Sequence, residues 1–147
     1  MDEPLFIATA PAGVEPLLTA ELTGLGAAET RPIRGGIRFQ GPLELAYRAC
    51  LWSRTASRVL LVLAEIAATN ADELYSGVHE MPWEEHLDPD GSLAVDFGGT
   101  CVGIDHSHYG AQRVKDAIVD RFRARCGRRP GVDRLRPDLR IQVQARD

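Results

Sequence analysis

The chain has 147 residues, 44% of them hydrophobic and 26% charged, with a formal net charge of −4, enough apolar material for one ordinary domain or two small lobes with packed cores. The longest apolar run, Val59 to Ala64, is six residues, against roughly 20 needed to cross a bilayer, and the acidic Met1-Asp2-Glu3-Pro4 start is unlike the basic start of a secretory signal. These features exclude a transmembrane helix and predict a cytoplasmic protein without a membrane partner.

Leu5-Phe6-Ile7-Ala8-Thr9, closed by Pro11 and Gly13, reads as a strand. A helix follows, because Val14, Leu17, Leu18, Leu22 and Leu25 repeat on one face of a 3.6-residue period and Gly24 and Gly26 stop it. Ala28 to Ile33 and Ile37-Arg38-Phe39, joined at Gly35-Gly36, predict a hairpin. Pro42 suits the first turn of a second helix whose inner face is Leu43, Ala46, Tyr47 and Cys50. Val59 to Ile66 is so continuously apolar that it predicts a strand covered on both faces. Strand, helix, strand, strand, helix, strand is the ferredoxin-like pattern, so the fold class is α+β and residues 1–67 form a first, ferredoxin-like lobe.

The second lobe, residues 68–147, starts with a helix capped by Thr69 or Asn70 and buried through Leu74 and Val78. Pro82-Trp83 interrupts it, and Pro89-Asp90-Gly91 is a turn. Leu93 to Phe97 is a strand, and a polar loop from Cys101 to His108 enters the clearest helix of the chain. There Ala111, Val114, Ile118 and Phe122 form the apolar face, Arg113, Asp116, Asp120 and Arg123 the opposite one, and Gly127 the stop. An Arg/Pro loop leads to a last strand, Leu139 to Val143, which ends so near the end of the chain that a sheet neighbour or a further domain is expected beyond it.

Charge divides the chain more sharply than its total suggests. Residues 1–109 hold 6 basic and 16 acidic side chains, net −10, whereas residues 110–147 hold 11 basic and 5 acidic, net +6. A basic segment on an acidic protein is an electrostatic footprint for a phosphate-rich partner, or else it folds back on the protein's own acidic half. The stretch from His106 to Arg140 joins a loop of hydrogen-bond donors to a helix N-terminus, which favours anions. Ser107, His108, Tyr109, Gln112, Arg113 and Lys115, with Arg128, Arg129, Arg134 and Arg136 in the following loop, are therefore the candidate RNA contacts. Tyr109 is placed to stack on an unpaired base.

Other constellations carry less. Cys50, Cys101 and Cys126 form no C-x-x-C pair and read as reduced thiols, two of them buried. Cys101, His106 and His108 lack a fourth metal donor, so no metal site is assigned. Gly98-Gly99-Thr100 follows a strand, but neither G-x-x-x-x-G-K-[ST] nor G-x-G-x-x-G occurs. Glu84-Glu85 is read as a solvated helix start. No catalytic centre emerges, so the chain alone is not assigned a reaction.

Four strings carry a family resemblance: Leu5 to Ala10 with Gly13-Val14-Glu15, Gly35 to Phe39, Leu51 to Arg58, and above all Ser107 to Asp120, followed by Arg129-Pro130 and Val132-Asp133-Arg134. They resemble the N-terminal portion of bacterial 23S rRNA guanine-N2 methyltransferases that begin with a THUMP region. The resemblance implies a ferredoxin-like lobe followed by a THUMP domain that presents structured RNA, notably 23S rRNA, to a methyltransferase domain of the full-length protein. It implies S-adenosylmethionine as the donor there, and no cofactor in this chain, which lacks the family's Asn/Asp-Pro-Pro-Tyr type motif. By position, the implied RNA-facing residues are Ser107, Tyr109, Gln112, Arg113, Lys115 and the basic loop, while Arg54 and Arg58 match the family string with a role at the lobe interface as the other reading. The alternative function is a protein-interaction module whose basic C-terminal segment docks on an acidic partner.

Overall fold

The computed structural model describes residues 2–146, so Met1 of the acidic start and Asp147 lie outside it. The chain divides into two units, residues 1–65 and 66–147. In the first, β1 (Leu5–Thr9) is followed by α1 (Glu15–Gly24), β2 (Ala28–Ile33), β3 (Gly36–Gln40), α2 (Leu43–Trp52) and β4 (Arg58–Leu61). The sheet order is β2-β3-β1-β4, with every neighbour antiparallel. Each β-α-β crossover thus leaves a gap that a strand of the other fills, which is the ferredoxin-like arrangement. The predicted hairpin is present, with Pro32 opposite Ile37 and Ile33 opposite Gly36. Alternation along β1 turns Phe6 and Ala8 inward to meet Ile37 and Phe39 of β3 and Leu18 and Leu22 of α1. The Phe6 and Phe39 rings are 5.4 Å apart, within the range of favourable aromatic pairing.

Three expectations for this unit are corrected. Leu17 is exposed, and α1 buries only Leu18 and Leu22. Helix α2 turns Leu45, Ala46 and Ala49 inward, leaving Leu43, Tyr47 and Cys50 outside. The small alanines let the helix sit close to the sheet, which the bulkier face would prevent. The apolar run after Arg58 yields a strand of only four residues at a sheet edge, paired on one side with β1 and exposed at Leu61. It is not a strand covered on both faces.

The second unit contains α3 (Ala71–His79), a 3-10 turn at Trp83–Glu85, β5 (Ser92–Gly98), α4 (Ser107–Cys126), β6 (Gly131–Val132) and β7 (Leu139–Gln144). Asn70 caps α3 by accepting from the Glu73 N–H at 2.9 Å, and Glu73 reaches back to the Thr69 N–H at 2.6 Å and hydroxyl at 2.8 Å, a reciprocal capping pattern. Those bonds hold the Glu73 carboxyl below its usual range. The sheet order is β6-β5-β7, all parallel, with β5 central. The two-residue β6 lies inside the segment read as an irregular loop.

Helix α4 is buried on more sides than its apolar period predicts. Val114, Ile118 and Phe122 are buried as expected, but so are Gly110, Ala117 and Arg121. Part of the predicted outer face, Arg113 and Asp120, is packed against α3, while Arg123 is exposed. Arg113 lies over the Tyr75 ring, 4.6 Å from its centroid, and reaches Asp72 at 3.3 Å, while the Tyr75 hydroxyl donates to Asp120. That hydrogen bond holds the Tyr75 phenol above its usual range. Arg121 donates through Nε and Nη2 to the two Glu84 oxygens at 2.8 and 2.7 Å, and through Nη1 to the His79 carbonyl at 2.9 Å. Glu84 is therefore half of a forked ion pair, not a solvated helix start, and the Arg121 hydrogen bonds bring its carboxyl down to about 2. The cysteines depart from expectation as well: Cys50 and Cys126 are exposed and Cys101 is half-buried.

Candidate nucleic-acid interface

An open cleft of about 360 Å³ lies between β5 and the first turns of α4. Its position follows from local sequence. Gly110 has no side chain, so the start of α4 settles on the Phe97 ring, where a Cβ would stand 2.8 Å from three ring carbons. The helix begins at Ser107, earlier than the polar loop reading placed it, with His106 at the cap position and no side chain bonding the first-turn amides. Those amides give the end of the cleft a partial positive charge.

Five of the candidate residues line this cleft: Ser107, His108, Gln112 and Lys115 from α4 and Arg134 from the loop after β6. Tyr109 is exposed but not in the lining. Arg113 is consumed by its contacts with Tyr75 and Asp72, a correction to its placement among free donors. Arg128 donates through Nη1 to both Asp90 oxygens, at 2.7 and 2.8 Å, so it is tied to a carboxylate of the same unit. Arg129 and Arg136 are exposed, and along with Arg134 they have no carboxylate partner among the described residues. The basic segment is thus split. Arg113, Lys115, Arg121, Arg123, Arg125, Arg128 and Arg140 all face carboxylates, whereas Arg129, Arg134 and Arg136 do not among the described residues.

Two residues that sequence reasoning missed, Arg140 and Asp96, complete the cleft. Arg140 of β7 bonds Asp96 of β5 at 3.0 Å through Nη1 and the Arg134 carbonyl at 2.8 Å through Nη2. It is a strut between the sheet and the loop carrying the free arginines. Strand alternation marks Arg140 as outward-facing, but its partner depends on the parallel β5–β7 register, which no local pattern reveals. Among the described residues no group of three or more His, Cys, Asp and Glu side chains is placed to hold a metal ion. No helix among them is long and apolar enough to cross a membrane.

Residues 68–147 match the family model described as THUMP domain. The chain belongs to the THUMP family. Residues 5–60 match the model described as RlmL ferredoxin-like domain, in keeping with the β2-β3-β1-β4 sheet. Similar curated proteins include ribosomal RNA large subunit methyltransferase K/L of Syntrophotalea carbinolica, 55% identical over 144 residues, covering 97% of this chain and 20% of that protein. The protein of the same name from Pseudomonas aeruginosa is 54% identical over 139 residues, covering 95% and 19%. The chain therefore spans about a fifth of the length of the relatives it matches. Among solved structures, a predicted N6-adenine-specific DNA methylase from Listeria monocytogenes superposes with a TM-score of 0.82 at 29% identity, covering 98% of this chain and 37% of that one. SMU.472, classed as a methyltransferase and solved with SAH, gives 0.80 at 25% identity, covering 98% and 39%.

Proposed function

We propose that this chain is the RNA-recognition region of a cytoplasmic, S-adenosylmethionine-dependent 23S rRNA guanine-N2 methyltransferase, with a ferredoxin-like lobe over residues 1–67 and a THUMP domain over 68–147. The observation that carries the proposal is a cleft lined by Ser107, His108, Gln112, Lys115 and Arg134, together with exposed Arg129 and Arg136, none of these three arginines having a carboxylate partner among the described residues. Guanidinium groups without internal partners suit phosphate, which they bind in forked geometry, and phosphate contacts supply most of the affinity for nucleic acid. The relatives at 54 and 55% identity are named for ribosomal RNA, and this outweighs the DNA methylase at 29% in choosing the polymer.

Methyl transfer is assigned to polypeptide outside this chain. The charged lining of the cleft is Lys115, Arg134, Arg140 and Asp96, with Lys115 paired to Asp116 and Arg140 to Asp96. That mixed lining carries no preference for the donor's sulfonium, so the cleft is read as an RNA site and the cofactor as belonging to the rest of the longer protein.

The test is binding to structured 23S rRNA fragments across a salt series. Log affinity should fall with log salt, with each neutralised phosphate contributing a slope of roughly −0.7 to −0.9. Arg129→Ala and Arg136→Ala should each flatten it by about that amount for every phosphate no longer neutralised, whereas Arg128→Ala, which also frees Asp90, should change it less. An unaltered slope in the Arg129→Ala/Arg136→Ala double variant would refute the assignment.

A further inference from the structure

Helix α2 is apolar on more of its circumference than one buried face requires. Leu45, Ala46 and Ala49 turn inward, yet four of the eleven large apolar side chains exposed among the described residues also lie on it: Leu43 at 48%, Tyr47 at 66%, Leu51 at 75% and Trp52 at 66%. Leu43, Tyr47 and Leu51 stand four residues apart, so they form one outward ridge. A helix apolar on both sides is ordinarily covered on both, and a clustered apolar patch marks an interaction surface where scattered single residues do not. Tyrosine and tryptophan are among the side chains that most often anchor protein interfaces.

Along one flank of the ridge run Glu44 and Arg48, exposed and joined to each other at 2.8 Å. This order of residues makes the face complementary to itself. In an antiparallel pairing centred on Tyr47, Leu43 meets Leu51 of the partner subunit, Trp52 meets the partner's Pro42, and Glu44 comes beside Arg48 of the partner subunit. The twofold lays the charged flank of one helix along the charged flank of the other, as an isologous contact requires. A parallel pairing would set each charged flank against the opposite flank, so only the antiparallel order joins them.

We infer that the outer face of α2 is a self-association surface, on which a second copy of this chain packs its own α2 antiparallel about a twofold axis through Tyr47. The inference concerns residues 43–52 and stands independently of the RNA-binding reading. A buried aromatic side chain removes about 150–250 Å² from water, so the two-thirds of Tyr47 and Trp52 still exposed offer roughly 200–330 Å² per chain. Doubled by the twofold and joined by Leu43, Leu51 and the stems of Glu44 and Arg48, the patch reaches the order of 1,000 Å², the lower bound of a specific interface. That size fits a reversible dimer, with charge order rather than area setting its register.

The experiment is sedimentation velocity of the 147-residue chain over a concentration series, with reductant present so that exposed Cys50 and Cys126 do not cross-link. Dimers should form with a dissociation constant on the order of 10–100 μM, as an interface of that size allows. Tyr47→Lys, which sets two ammonium groups together at the axis, should leave the chain monomeric without lowering its melting temperature. Glu44→Arg and Arg48→Glu should each weaken self-association at least about tenfold. An equimolar mixture of those two variants should dimerise as well as wild type, because each chain then supplies the charge that the other's flank lacks. Dimers unaffected by Tyr47→Lys, or a mixture that associates no better than either variant alone, would overturn the inference. A wild type that stays monomeric well above that concentration range would also overturn it, and would assign the face to a different polypeptide such as the rest of the longer protein.

Discussion

Substituting Gly110 by alanine tests how the cleft is built. In isolation the change favours a helix, because alanine is better than glycine by about 1 kcal/mol in a helix interior. Here the new Cβ would lie 2.8 Å from Cδ1, Cδ2 and Cε1 of Phe97, whereas ordinary contact begins at 3.4 Å and extends to 4 Å. The ring or the helix start must therefore retreat by at least about 0.6 Å. Phe97 is buried at 8% exposure, and overpacking of this kind costs about 1–3 kcal/mol. Set against the propensity gain, Gly110→Ala should be destabilising by up to about 2 kcal/mol in urea unfolding followed by far-UV circular dichroism. The same retreat would carry Ser107, His108 and Gln112 off their positions in the cleft. Replacing Phe97 by leucine removes the ring atoms that clash, so in that background Gly110→Ala should be neutral or stabilising, with a coupling of at least about 1 kcal/mol between the two sites. Greater stability of the single Gly110→Ala variant than wild type would refute the close approach of α4 to β5.

Two further outcomes concern the frame around the cleft. Asn70→Ala removes the side-chain acceptor of the Glu73 N–H and should lower the unfolding free energy by about 1 kcal/mol in urea titrations, as loss of an N-cap does; Asn70→Asp should restore most of it. Glu84 has a folded pKa of about 2 against an ordinary value of 4.5, so its contribution is fully present above pH 4.5 and is lost as pH falls toward 2. Carbon-detected NMR should place its titration well below the ordinary glutamate value of 4.5, and Glu84→Gln should flatten the acid limb of the melting-temperature profile.

The elements were legible where one local signal governs. Gly35-Gly36 ahead of the alternating Ile37-Arg38-Phe39 points to the hairpin, and Thr69-Asn70 ahead of Leu74 and Val78 points to the start of α3, where the structure makes Asn70 the cap. Helix faces were less so. Helix α2 has apolar side chains nearly all round, Leu43, Leu45, Ala46, Tyr47, Ala49, Cys50, Leu51 and Trp52, so periodicity permits two faces, and side-chain bulk against the sheet decides between them. Polar residues mislead for the opposite reason. Arg113 and Asp120 read as a solvent face because an arginine or aspartate is costly to cover; Tyr75 offers Arg113 a ring to lie on and Asp120 a hydroxyl to accept from, and Tyr75 is distant in sequence. Arg121 could be assigned to the interior only with Glu84 and the His79 carbonyl in view.

The same non-local pairing changes how the +6 segment should be understood. Pairing with the protein's own carboxylates accounts for part of its charge, and only the remainder is left for the phosphate partner proposed above. On α4, Arg113, Lys115, Arg121, Arg123 and Arg125 each meet a carboxylate, and among these Arg113 joins the helix to α3 while Arg121 and Arg125 join it to the 3-10 turn. After the helix the pairing thins, because Asp133 and Asp138, the acidic residues of the loop, accept from backbone N–H groups and a serine hydroxyl. Carboxylates spent on shaping the backbone are unavailable to Arg129, Arg134 and Arg136. The geometry that makes the loop rigid therefore also leaves its cations free, and a substitution such as Asp133→Asn, which keeps an acceptor oxygen while removing a nearby negative charge, should strengthen RNA binding at low salt. Weakened binding in that variant would show that the carboxylate contributes more by fixing the loop than it subtracts by its charge.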